Sequence, residues 1–212
     1  TFDVLVSNNE ATWPHQTWRL LREAHPRVAL DYVNCALPAS STTQVLRRYS
    51  SGLNELAPDV VVIRLNDLIR DAAYQARSQG IYNGVHHDKT WLGRRGGRFL
   101  DIEKNLVIVS RLLFPNHWPR KIRFDTDVAI RRFTSNLESL VSLCREDGAT
   151  VVLFESMGML RAGSSFLQQR HAAARILYYM PFMTIPGLIE AQHAYTRAQQ
   201  DVARRTGSLF ID

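Results

Sequence analysis

The sequence predicts an α/β fold built on a central parallel sheet. Short apolar runs rich in β-branched residues alternate with longer segments whose apolar positions recur at helical spacing. The clearest run, Val60–Ile63, is too short for a helix and is typical of a strand buried on both faces. Because such strands lie on either side of residues 72–124, we expect parallel strands joined by crossover helices, with helices on both faces of the sheet.

The elements follow from local signals in chain order. Thr12 can cap a first helix that His25-Pro26 ends, and apolar spacing predicts further helices over residues 43–56, from Asp127 to Asp147-Gly148, and over about 188–205. The strand candidates are residues 28–33, Val60–Ile63, Thr150–Phe154 and Leu209–Ile211. Residues 72–124, with one helix near 102–114, and residues 155–186 are interpreted as long loop-rich excursions within a single domain, residues 1–212.

Composition excludes several classes of protein. The 212 residues are 45% apolar and 22% charged, which is ordinary for a globular chain, and no apolar run is long enough to span a membrane. Cys35 and Cys144 lack metal-ligand spacing and are expected to be buried thiols. His86-His87 has no third ligand nearby, so neither a metal nor a cofactor is expected.

The net charge of +6 comes from one segment. Residues 94–132 hold ten basic and four acidic side chains, whereas the segments on either side are balanced. The segment fits an anionic substrate or surface, but a solvated Arg-rich face is the usual explanation. Because no RNA- or DNA-binding motif accompanies it, nucleic acid is not an expected partner.

Asn66-Asp67 follows the Val60–Ile63 strand, at the edge of the sheet where open α/β proteins bind ligands. A side-chain amide delivered there could donate to a substrate oxygen. The alternative, which general strand-end statistics favour, is an Asx turn that merely closes the strand.

Several sequence blocks match, in order, the motifs of one known protein family. Residues 6–14, VSNNEATWP, are similar to the family segment V-S-D-D-E-T-W-P. Residues 34–39, NCALPA, match N-x-G-x-x-G with both glycines replaced by alanine. Residues 58–67, PDVVVIRLND, match P-D-V-V followed by G-x-N-D, with Arg64 in the glycine position. The likeness extends over residues 136–154 and 191–212. Together these blocks resemble the SGNH (GDSL-like) hydrolases, Ser esterases with a flavodoxin-like three-layer α/β/α fold.

The resemblance implies a Ser nucleophile, with the Asn66 side-chain amide and the Ala36 backbone N–H as oxyanion donors. By this alignment the nucleophilic Ser falls just before Thr1, and the Asp-x-x-His block falls after Asp212, so we expect a chain cut at both ends. A rival alignment places Asn9 at the nucleophile position and implies an inactive protein. Arg64 either reaches an anionic substrate group or lies along the sheet edge toward water.

Two function classes follow from the resemblance. The first is an ester hydrolase or acyltransferase whose substrate is a small-molecule ester or an O-acylated carbohydrate, such as an envelope molecule. The second is a binding module that keeps the SGNH fold without its catalytic triad.

Overall fold

The computed structural model describes residues 10, 12–36, 40–81, 106, 109, 113, 121–155, 160 and 163–212. The chain divides into two compact units, Thr1–Ser40 and Ser41–Asp212. Asn9, the His86-His87 pair, and most of the basic segment with its predicted helix near 102–114 lie outside the described residues.

The first unit contains helix α1, Trp13–Ala24, which follows the predicted cap position Thr12 and ends at His25. The strand predicted over residues 28–33 is wrong, because the backbone there is irregular. Side chains bind the backbone groups that a sheet would need. The Trp18 indole N–H donates to the Leu30 carbonyl at 3.0 Å, and the Tyr32 N–H donates to the Asp31 carboxylate at 2.8 Å.

The second unit is a parallel sheet with packed helices. Its elements, in chain order, are α2 (Thr42–Ser50), a 3-10 helix (Leu53–Leu56), β1 (Val60–Ile63), α3 (Leu68–Ser78), α4 (Thr126–Glu146), β2 (Thr150–Phe154), α5 (Phe166–Tyr179), α6 (Ile185–Thr206) and β3 (Leu209–Ile211). The strands pair in the order β1-β2-β3, with Val60 beside Thr150 and Val152 beside Leu209. The α/β class and the parallel pairing are confirmed.

The position of β1 differs from the prediction. Within the described residues β1 is an edge strand, and Val60 and Val62 are 54% and 49% exposed. The prediction of a strand buried on both faces is therefore wrong for this part of the chain. Only the face that carries Val61 and Ile63 packs onto the core, so the apolar run reports strand propensity and not two-sided burial.

Helices α4 and α6 supply most of the core. The predicted apolar face of α4 is buried as expected, and the buried side chains there are Phe133, Leu137, Leu140, Val141 and Cys144. Phe133 meets Tyr195 of α6 edge-on, with ring centroids 4.9 Å apart. Gly207 ends α6 in the left-handed conformation, with φ of 64°. Both cysteines described, Cys35 and Cys144, are free thiols, and only Cys144 is buried.

Three helix predictions need correction. Residues 72–78 belong to α3 and not to a loop-rich excursion, and α5 lies within the second excursion, residues 155–186. The helix predicted over residues 43–56 is α2 followed by a separate 3-10 helix, because Gly52 has φ of 156° and interrupts the first.

Candidate functional site

The chain turns from β1 into α3 through residues 65–71, which we call the β1–α3 turn. Asn66 closes it: its side-chain Oδ1 accepts the Leu68 backbone N–H at 2.8 Å, an Asx turn that satisfies a donor in the first turn of α3. This bond uses only the oxygen of the Asn66 amide. The structure therefore realises the turn-closing role that strand-end statistics favour, and it leaves the amide nitrogen for other contacts.

Asp67, next in the chain, is buried with 2% exposure and is held by α2. Its Oδ1 accepts the Thr42 backbone N–H at 2.8 Å, and its Oδ2 accepts the Thr42 hydroxyl at 2.6 Å. Because Thr42 is the first residue of α2, the carboxylate also lies at the positive end of that helix dipole. Both carboxylate oxygens are hydrogen-bonded, which offsets much of the cost of burying the group.

Asp71 lies one helical turn after Asp67 and is as deeply buried. Side chains from two other helices bind its carboxylate. It forms an ion pair with Arg132 of α4 and accepts the hydroxyl of Tyr195 of α6. Burial raises the pKa of Tyr195 well above its usual range, and the nearby Asp67 charge raises it further, whereas Arg132 lowers it. The phenol therefore stays protonated, and can donate to the Asp71 carboxylate, into the alkaline range.

Helix α6 fixes the carboxyl ends of two strands. The Gln199 side-chain amide donates to the Leu65 carbonyl at 2.5 Å, directly after β1. One turn earlier on α6, the Thr196 hydroxyl donates to the Glu155 carboxylate at 3.0 Å, directly after β2. The Glu155 N–H in turn donates to the Ile211 carbonyl of β3 at 2.8 Å. These bonds hold the carboxyl ends of the strands in place, and open α/β proteins generally bind their ligands at that end of the sheet.

These contacts hold the β1–α3 turn at Leu65, Asn66, Asp67 and Asp71. Within the described part of the chain, the Asn66 Nδ2 donates no hydrogen bond, and the side chain is half-buried. An amide N–H donor is therefore oriented by its own oxygen and fixed by its neighbours. Such a preorganised donor can stabilise a developing oxyanion, because no reorganisation is needed when charge forms.

The other two residues predicted for the site, Ala36 and Arg64, lack the buried contacts that surround Asn66. Ala36 belongs to the first unit, is exposed, and its backbone N–H donates to the Asn34 Oδ1 at 3.2 Å. Its proposed oxyanion donor is therefore engaged locally. Arg64 is half-buried after β1 and makes no ion pair with the described residues.

Sequence reasoning missed the residues that support Asn66. The Ser41-x-x-Gln44 pattern, which forms a capping box, would have placed Thr42 at the start of α2. Glu155 could have been found as the carboxylate directly after β2. Nothing in the sequence signals that Tyr195 would reach Asp71, because 124 positions separate the two.

Metal and histidine chemistry find no support in the described residues. No group of three or more His, Cys, Asp or Glu side chains there could hold a metal ion. His15, whose Nδ1 lies 3.0 Å from the Tyr32 hydroxyl, is the one described histidine with a side-chain hydrogen bond. Among the described helices, none has the length and apolar character required to cross a membrane.

Comparison with known proteins finds no matching protein-family model, curated protein or solved structure. The α/β architecture and the geometry of the β1–α3 turn are therefore the basis for assigning a function.

Proposed function

We propose that this chain belongs to an SGNH-type ester hydrolase or acyltransferase that acts through a Ser nucleophile on an O-acylated carbohydrate or a similar ester. In this proposal the Asn66 side-chain amide is an oxyanion donor to the ester carbonyl that the Ser attacks. The observation that carries the proposal is the Asn66 Nδ2, which has no hydrogen bond to the described residues and lies at the carboxyl end of a parallel strand, on a turn held by buried and partly buried hydrogen bonds.

The proposal includes a flavodoxin-like, three-layer arrangement. The sheet face that carries Val60, Val62, Leu209 and Ile211 is largely exposed in the described residues, although all four side chains are apolar. An apolar sheet face of this kind normally packs against another layer, because leaving it in water costs about 25 cal/mol per Å². A second layer of helices on this face would complete the fold.

A binding module with the same fold is the second candidate. It is favoured by the Ala36 N–H, which donates to Asn34 and so is not presented to a ligand, and by the Arg64 side chain where the family has glycine. In that case the carboxyl edge of the sheet would bind an ester or carbohydrate without turning it over.

The test uses the longest natural protein that contains this chain, assayed with 4-nitrophenyl acetate and with an O-acetylated oligosaccharide. We expect Asn66→Ala to lower kcat by about 10²–10³-fold, or roughly 2.7–4 kcal/mol, with KM little changed, because the donor acts mainly in the transition state. Asn54→Ala, a substitution in the 3-10 helix of the same unit, is the matched control and should retain kcat. Equal kcat for wild type and folded Asn66→Ala would remove Asn66 from the mechanism, and ester binding without turnover would favour the binding module.

A further inference from the structure

We propose that Thr42 is a positioning residue for Asn66 and that it acts through the Asp67 carboxylate. The proposal rests on the function assigned above, since it gives the Thr42–Asp67 contact a role in holding the oxyanion donor. It assigns a role to a residue on α2 that lies 24 positions before Asn66 and has no hydrogen bond to it among the described contacts.

Two separate hydrogen bonds join Thr42 to Asp67, one to each oxygen of the carboxylate. Thr42 is fully buried and binds the two carboxylate oxygens with two different donors, its N–H and its hydroxyl. Asn136 of α4 donates its Nδ2 to the Thr42 hydroxyl oxygen at 3.2 Å. The Asn136 Nδ2 can only donate to this hydroxyl, so the hydroxyl hydrogen is directed to the Asp67 carboxylate oxygen. The hydrogen bond from the Thr42 hydroxyl to the carboxylate measures 2.6 Å, which is within the usual range for bonds between hydroxyls and carboxylates.

Helix capping explains only the N–H half of the contact, because the Thr42 N–H is a first-turn donor that Asp67 satisfies and the Ser41–Gln44 pair does not. The N-terminus of α2 already carries a complete capping box: the Ser41 hydroxyl accepts the Gln44 N–H, and the Gln44 side chain accepts the Ser41 N–H. The Thr42 hydroxyl adds nothing to that cap. It contributes a tertiary bond between the start of α2 and the residue that follows Asn66.

The hydrogen bond at Asp67 affects the orientation of Asn66 through the backbone between them. Asp67 is the residue between Asn66 and Leu68, and those two residues are joined by the Asx-turn hydrogen bond. Fixing the Asp67 side chain fixes the two peptide units on either side of it, so the Asn66 amide keeps one orientation. If the carboxylate lost the hydroxyl, it would retain only the Thr42 N–H, and the Asx turn would open more often.

The experiment compares Thr42→Val, which removes the hydroxyl at nearly constant volume, with Thr42→Ser, which keeps it. Thr43→Val is the control, since Thr43 is exposed and its hydroxyl contacts Asn136 at 2.9 Å but not Asp67. In the 212-residue chain, amide hydrogen exchange at Leu68 reports the Asx turn, with the amides of buried α4 residues as the reference for global stability. We expect Thr42→Val to speed Leu68 exchange at least about tenfold relative to that reference, and Thr42→Ser and Thr43→Val to leave it unchanged.

Activity supplies the second measurement. In the protein used to test the function, Thr42→Val should lower kcat by about ten- to a hundredfold with KM unchanged, and Thr42→Ser should restore it. Leu68 exchange and kcat that are normal in Thr42→Val would overturn the proposal. The proposal would also be overturned if Thr42→Val speeds exchange at Leu68 and at the α4 reference amides by the same factor, because that result shows only a loss of global stability. If Thr42→Val does not fold, Asp67→Asn is measured instead. Faster Leu68 exchange relative to the α4 amides is then expected, and unchanged Leu68 exchange would contradict the proposal.

The two proposals can fail separately. If Asn66→Ala keeps its kcat, the hydrolase function fails whatever Thr42 does. If Asn66→Ala loses kcat but Thr42→Val keeps both normal kcat and normal Leu68 exchange, only the positioning role fails.

Discussion

Two Asx turns in this chain have the same local chemistry and different surroundings. At Asn66 the side-chain oxygen accepts the N–H two residues on, at 2.8 Å, and at Asn34 the same bond measures 3.2 Å. The first lies beside two nearly fully buried carboxylates, Asp67 and Asp71, that three helices bind. The second lies on exposed, irregular backbone.

The difference shows what a short polar motif can and cannot specify. An Asn followed by a small loop is enough to form the turn, because the bond is local. Holding the turn in one geometry takes long-range partners, and at Asn66 these come from Thr42, Tyr195 and Gln199. We therefore expect substitutions at these partners to be costly, and matched substitutions at exposed positions to cost little.

Tyr195→Phe should give the largest loss of stability among the tests of this comparison. It removes the hydroxyl that donates to the buried Asp71 carboxylate but keeps the ring against Phe133. Hydrogen bonds to charged groups contribute about 1.5–3 kcal/mol, so the free energy of unfolding in urea should fall by that amount. Tyr74→Phe, on the 64% exposed Tyr74 of α3, should change it by less than about 0.5 kcal/mol. Equal effects of the two substitutions would show that burial at Tyr195 does not strengthen the bond.

The sequence predicted what depends on neighbours along the chain and missed what depends on tertiary partners. Helical spacing found α4 with its buried face and most of α6. The strand predicted over residues 28–33 failed because Trp18 and Asp31 bind the backbone that a sheet would use. Helix α3 was missed because Asn66-Asp67 was interpreted only as the end of a strand, although Asp67 is also the residue that precedes α3.

The network around Asn66 was predictable only in part. Asn66 itself follows from its position after β1 and from the family resemblance. Asp71, Arg132 and Tyr195 come from three different helices, and nothing in the order of residues indicates which charged or polar groups will meet. Tertiary packing decides such pairs, and a single sequence does not contain that information.

Stability should also fall in alkali, because buried phenols resist ionisation. Burial raises the pKa of both Tyr195 and Tyr49 above the ordinary value of 10.0. Above pH 10 the unfolded chain loses these protons while the folded chain keeps them. The stabilisation is thus complete below pH 10 and is lost as the pH rises above it, at about 1.4 kcal/mol per pH unit for each tyrosine. Urea unfolding between pH 9 and 11 should show a shallower decline for Tyr195→Phe and an unchanged one for Tyr74→Phe.

Asn66→Asp should have the smallest effect on stability and separates the two roles of Asn66. Aspartate keeps the oxygen that accepts the Leu68 N–H and lies just before α3, where the positive end of the helix dipole favours a negative charge. The free energy of unfolding should therefore change by less than about 0.5 kcal/mol, although the new charge lies near Asp67. The same substitution removes the Nδ2 donor and places a negative charge where an oxyanion would develop, so kcat should fall at least as far as in Asn66→Ala. A stable Asn66→Asp protein with normal kcat would mean that Asn66 only closes the turn.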